Sequence, residues 1–137
     1  MLGIYTVIAL NSVLFLSMSF IHVYWAFGGQ WGTEGALPSR DGKRVLNPRP
    51  IGTLGVAIVL MAFAICSAYA LQVSPYLLLI IGILFGLRTI GDFRFVGLFK
   101  QIRNTTFASY DNRFFIPLCT YISGSNLFLY WYLVNLL

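Results

Sequence analysis

Few side chains in this sequence could do chemistry, and those that could gather in three short stretches. His22-Val23-Tyr24-Trp25 leads into Gly28-Gly29-Gln30-Trp31-Gly32-Thr33-Glu34; Arg88-Thr89-Ile90-Gly91-Asp92-Phe93-Arg94 follows; Tyr110-Asp111-Asn112-Arg113 completes the set. His22 is the sole histidine and the one candidate proton carrier, since its ordinary pKa lies near neutrality. Arg88, Arg94 and Arg113 suit an anion, because a guanidinium grips carboxylate or phosphate with paired N–H donors. Asp92 and Asp111 could orient such a ligand, Glu34 extends the polar rim, and Tyr24, Trp25 and Trp31 could cover an apolar part. Asp92 stands four residues after Arg88 on the same helical face and is the expected partner of its charge. Together these residues outline a polar pocket for an amphipathic or anionic small molecule, a lipid among them. They also fit a second reading, an enzyme with His22 as general acid or base tuned by Asp92 or Asp111. A non-catalytic subunit of a membrane complex is a third.

Other chemistry is excluded by what is missing. One histidine, two cysteines without a C-x-x-C pair and four acidic residues give no set with metal-ligand spacing, so no metal and no thiol redox centre is expected. Gly42-Lys43 lacks the upstream glycine of a P-loop, and G-x-G-x-x-G is absent, so no nucleotide or other cofactor is expected. Asp41-Gly42 reads as a turn closing a small hairpin.

The elements that must position these residues follow from composition. Of 137 residues, 58% are apolar and 9% charged, with a mean hydropathy of +0.80. A soluble domain carries about a quarter charged residues, and a chain this short cannot bury so much apolar surface in one core. A disordered tail and a disulfide scaffold are excluded by the same figures. A bilayer core of about 30 Å asks for roughly twenty apolar residues per helix, and four runs meet it: 3–27, 51–71, 76–95 and 116–137. The expected fold is all-α, a single-domain transmembrane four-helix bundle. Pro50 and Pro75 suit the first turns of the second and third helices, with Ser74 as a cap. Pro117 suits the first turn of a helix starting near Ile116 and would kink one starting at Asp111.

All nine basic residues fall in or beside the first and third loops, so both loops are expected in the cytoplasm and both termini outside it. The chain is thus expected to be a multi-pass protein of the inner membrane. The charge of +5 reads as anchoring to anionic lipid, with no role for nucleic acid; membrane lipids are the expected partners, and a homo-oligomer is left open. Small residues, Gly82 and Gly86 on the third helix, Gly52 and Gly55 on the second, Ser123, Gly124 and Ser125 on the fourth, are candidate packing seams. Asn11 and Asn126 lie at comparable depth and could bond each other across the bundle. Arg88, roughly 18 Å from the outer edge at Tyr76, must find a partner or a wet cavity, or snorkel to the interface. A proton-coupled exporter is disfavoured, because the first, second and fourth runs hold no carboxylate.

The segments His22-Val23-Tyr24-Trp25-Ala26-Phe27-Gly28-Gly29-Gln30-Trp31-Gly32, Gly91-Asp92-Phe93-Arg94-Phe95-Val96-Gly97, Tyr110-Asp111-Asn112-Arg113 and Pro117-Leu118-Cys119 carry a resemblance. The chain resembles the small four-helix membrane-protein family catalogued as domain of unknown function 3995. The resemblance covers almost the whole chain and implies a four-span fold and a bacterial origin. It implies no activity, and no catalytic residue carries over.

Overall fold

A computed structural model describes residues 1–136. The chain is all-α apart from one two-residue hairpin, and its elements run α1 (Leu2–Ala26), α2 (Thr33–Ala36), β1 (Ser39–Arg40), β2 (Lys43–Arg44), α3 (Pro50–Ala68), α4 (Pro75–Ile90), α5 (Thr106–Tyr110), a π-helical turn (Asp111–Phe115) and α6 (Ile116–Leu136). Pro50 and Pro75 open α3 and α4, where a missing N–H leaves no helical bond unmade. The Ser74 side chain makes no capping bond, so proline alone marks that start. Asp41 and Gly42 both take positive φ, 52° and 73°, the backbone of a tight turn whose twist matches the strands it joins.

The third helix is shorter than the sequence suggests. It stops at Ile90 because Gly91 turns away at φ +87°, and Asp92 then captures three main-chain N–H groups that a helix would have used. The fourth helix, conversely, has a helical run before it. Thr105 caps α5 by accepting from Ala108 N at 3.1 Å, and the chain passes through the π turn into α6. Pro117 can neither donate to the carbonyl four residues back nor pass it without a clash, and the widened turn directly upstream makes room for its ring.

α1 packs chiefly on α3 and α4 chiefly on α6. Ser19 Oγ donates to the Ala57 carbonyl at 2.8 Å in the first pair, and Ser123 Oγ to that of Gly82 at 2.7 Å in the second. Small residues permit the second contact: a Cβ on Gly82 would stand 2.8 Å from Leu127, and one on Gly86 3.0 Å from Ser123 Oγ. Gly52, Gly55 and Gly124 face open space instead and are not seams. The pairs meet through Phe15, whose ring lies edge-on to Phe63 and Phe85 at 5.6 and 5.5 Å, and through Ser125 Oγ, which donates to Asn11 Oδ1 at 3.0 Å. Asn11 and Asn126 do not bond each other; Asn126 Nδ2 donates to the Ile122 carbonyl of its own helix.

Buried side chains form two hydrophobic clusters, one around Ile8, Leu78 and Leu129, the other around Phe15, Leu60, Ile81 and Ile122. The outer faces are apolar too: Leu10, Val13 and Phe20, Ile58 and Ile65, Ile80 and Leu84, Phe128 and Trp131 are all exposed. α1 and α3 are long and apolar enough to cross a membrane, with mean hydropathies of 1.9 and 2.3, whereas α4 is a shorter apolar helix.

Candidate functional site

Asp111 is the hub of the end that carries both long loops. The π turn sets it inward, fully buried, while its neighbours Asn112, Arg113 and Phe114 are exposed. Its Oδ1 accepts from Arg88 Nη2 at 2.9 Å; its Oδ2 accepts from Lys100 Nζ at 2.9 Å and from Gly97 N at 2.9 Å. Lys100 is only 2% exposed and also donates to Gly97 O at 3.1 Å and Asn112 Oδ1 at 2.5 Å. Burial alone would push the Asp111 carboxyl up, but Lys100, the Gly97 N–H and Arg88 outweigh it and hold it below the ordinary carboxylate value. One carboxylate thus gathers α4, the loop after it and the start of α6.

Arg88 therefore finds its partner 23 residues downstream, not in Asp92. The exposed Asp92 has other work: its Oδ1 accepts from the N–H groups of Arg94, Phe95 and Val96 at 3.0, 2.8 and 2.9 Å. Its slight burial raises the carboxyl and these three donors lower it further, so its pKa lies below the usual value. The loop closes so tightly that a Cβ on Gly97 would stand 2.4 Å from Ile90 O, and one on Gly91 1.7 Å from Val96 O. Phe93 is forced to φ +63°, a conformation strained for a bulky residue. The Gly-Asp-Phe-Arg-Phe-Val-Gly segment is thus a self-bracing loop, with Leu98 N donating to Thr89 O at 2.9 Å to dock it on α4.

The expected single pocket is divided. His22 Nδ1 lies 2.7 Å from the Met18 carbonyl; a carbonyl only accepts, so the neutral ring carries its proton on Nδ1. Its ring meets Trp25 edge-on at 5.1 Å. Trp25 Nε1 donates to Trp31 O at 2.8 Å, and Tyr24 and Trp31 border an open apolar groove with Phe20 and Ile21. Arg94 is exposed, its guanidinium 5.2 Å from the Phe95 ring centre. Glu34 and Arg113 are exposed, without an ion pair among the described residues. None of Arg88, Asp92, Arg94, Asp111 or Arg113 borders the cavity that does form at this end.

That cavity, of about 190 Å³, lies between the start of α3 and the segment after α1, and its polar lining includes Gln30, Thr33, Arg44 and Asn47 beside Trp25. Arg44 Nη2 donates to Thr33 Oγ1 at 3.1 Å, so the guanidinium is aimed into the lining. No carboxylate lines it. Sequence reasoning missed Arg44, counted only as one of the anchoring cations, and Lys100, which no local spacing ties to Asp111. The model of the family described as protein of unknown function, DUF3995, matches residues 15–125. The chain belongs to that family. No curated protein and no solved structure matches the chain. The matched residues include His22, the Arg44 cavity, the Asp92 loop and the Asp111 hub.

Proposed function

We propose that this DUF3995 member is a four-span protein of the bacterial inner membrane, and that its loop end faces the cytoplasm and binds an anionic amphipath such as a phospholipid or fatty acid. Apolar side chains on the outer faces of α1, α3, α4 and α6 are what lipid, not water, would solvate. α4, at about 24 Å, is short for a crossing, and the exposed Phe93, Leu98 and Phe99 beyond it would lie among acyl chains near the head groups. Eight of the nine cations lie between the long helices, in the segments after α1 and α4, and the ninth, Arg88, is in the last turn of α4; this bias supports a cytoplasmic loop end with both termini on the far side.

The ligand reading rests on one observation: the exposed Arg44 borders a cavity lined by the amides of Gln30 and Asn47 and by no carboxylate. An anionic head there would meet the guanidinium, while the Phe20, Ile21, Tyr24 and Trp31 groove offers apolar cover. The enzyme reading lacks such support, because Asp92 is engaged by main-chain N–H groups and Asp111 by Arg88, Lys100 and Gly97, and neither bonds His22. The test is thermal unfolding in a neutral detergent with added lipid. Anionic lipid should raise the midpoint more than zwitterionic lipid, and Arg44→Ala should lose that difference while Arg113→Ala keeps it. Equal stabilisation by both lipids, or an undiminished difference in Arg44→Ala, would refute the reading.

A further inference from the structure

Between the two hydrophobic clusters lies a layer that is not hydrophobic. Asn11 sits between Ile8 and Phe15 in sequence, Ser67 between Ala64 and Ala70, and Asn126 between Ile122 and Leu129; in each trio one flanking residue belongs to the first cluster and the other to the second. The three polar residues are therefore at one level of the bundle, contributed by α1, α3 and α6, and all three are fully buried. Each leaves one atom without a hydrogen-bond partner among the described residues: Asn11 Nδ2, Ser67 Oγ and Asn126 Oδ1. The remaining atoms are engaged. Asn11 Oδ1 accepts from Ser125 Oγ, one residue from Asn126, and Asn126 Nδ2 donates to Ile122 O.

The three orphaned atoms are a donor, an acceptor and a hydroxyl that can be either. A buried polar atom in low dielectric is strongly driven to find a partner, and one molecule that both donates and accepts could satisfy all three. We propose that this layer is a binding site for an ordered water molecule, which accepts from Asn11 Nδ2, donates to Asn126 Oδ1 and exchanges a hydrogen bond with Ser67 Oγ. Three partners are the usual number for a buried water. No side chain of the layer is charged, and its unpartnered Asn11 Nδ2 is a donor, which suits a water and repels a cation. Both cavities described above lie at the loop end of α1, so the site is separate from the proposed lipid site and stands or falls independently of it.

Two measurements on the whole chain in lipid nanodiscs test it. In 15N-labelled wild-type protein, magnetisation transfer from water should reach the Asn11 side-chain amide, far from bulk solvent. Ser67→Ala, a small change that leaves the fold intact, removes one of the three partners and should lower the unfolding midpoint by about 2–4 °C. If the layer is dry, the same substitution removes an uncompensated hydroxyl and the midpoint stays or rises. An Asn11 amide that receives no transfer from water, or a midpoint unchanged or raised by Ser67→Ala, overturns the proposal.

Discussion

Removing the Asp111 carboxylate would leave Arg88 and Lys100 side by side without a counter-charge, and Lys100 has almost no access to water. Loss of one partner from a buried ion pair costs about 3–5 kcal/mol, so Asp111→Ala is expected to lower stability by that much in thermal or denaturant unfolding. A loss under about 1 kcal/mol would show that the cations relax to solvent. The pH dependence has a definite sign. Both Asp92 and Asp111 are held below their ordinary values, so their contribution is complete above the unfolded value of about 4 and is lost only as pH falls through the lower folded values. Amide exchange in residues 91–104, corrected for its intrinsic pH dependence, should accordingly show the same protection at pH 7 and pH 5, and lose it below about pH 4. At this scale the sequence made plain that Arg88 needs a partner, because a guanidinium inside an apolar run cannot stand alone. It pointed to the wrong carboxylate. Spacing rules see only neighbours along a helix, and the helix ends before Asp92 can act as one.

Glycine positions show how differently one residue type behaves in neighbouring elements. Gly97 is pressed against the Ile90 carbonyl at φ +91°, so Gly97→Ala should unlock the loop and speed its proteolysis at the exposed Arg94 and Arg103. Gly52 faces open space on α3, and Gly52→Ala should leave the midpoint unchanged or raise stability by up to about 1 kcal/mol through better helix propensity. A destabilised Gly52→Ala would mean that the face is covered by another molecule. The close-packed face of Gly82 and Gly86 was legible as a small-residue motif, though not that α6 would fill it. The openness of Gly52, Gly55 and Gly124 was not, since composition does not reveal which side of a helix faces its neighbour. The hairpin at Asp41-Gly42 and the proline starts of α3 and α4 were readable because each depends on backbone conformations that few residues favour. The π turn could be inferred only as a conflict around Pro117.

The molecule as a whole presents apolar side chains on its outer helix faces, over a core that combines two apolar clusters with buried amides and hydroxyls. If its long helices cross a membrane with both loops inside, single cysteines replacing Arg40 and Arg103 should react with an impermeant maleimide only from the cytoplasmic side of inverted vesicles. Reaction from opposite sides would end the four-span reading. The all-α fold and its long apolar helices were legible from apolar run lengths. The site was not, because its cavity is made by loop folding, and α2 meets α5 with Gly35 under the Tyr110 ring in a way no periodicity announces. The partition into α1 with α3 and α4 with α6 has a genetic corollary. A gene cut between Gln72 and Val73 would encode two polypeptides, each already an antiparallel hairpin with its own connecting segment. Co-expressed, the fragments should find one another and co-purify, held by Phe15, Ser125 and the docking of α2 on α5.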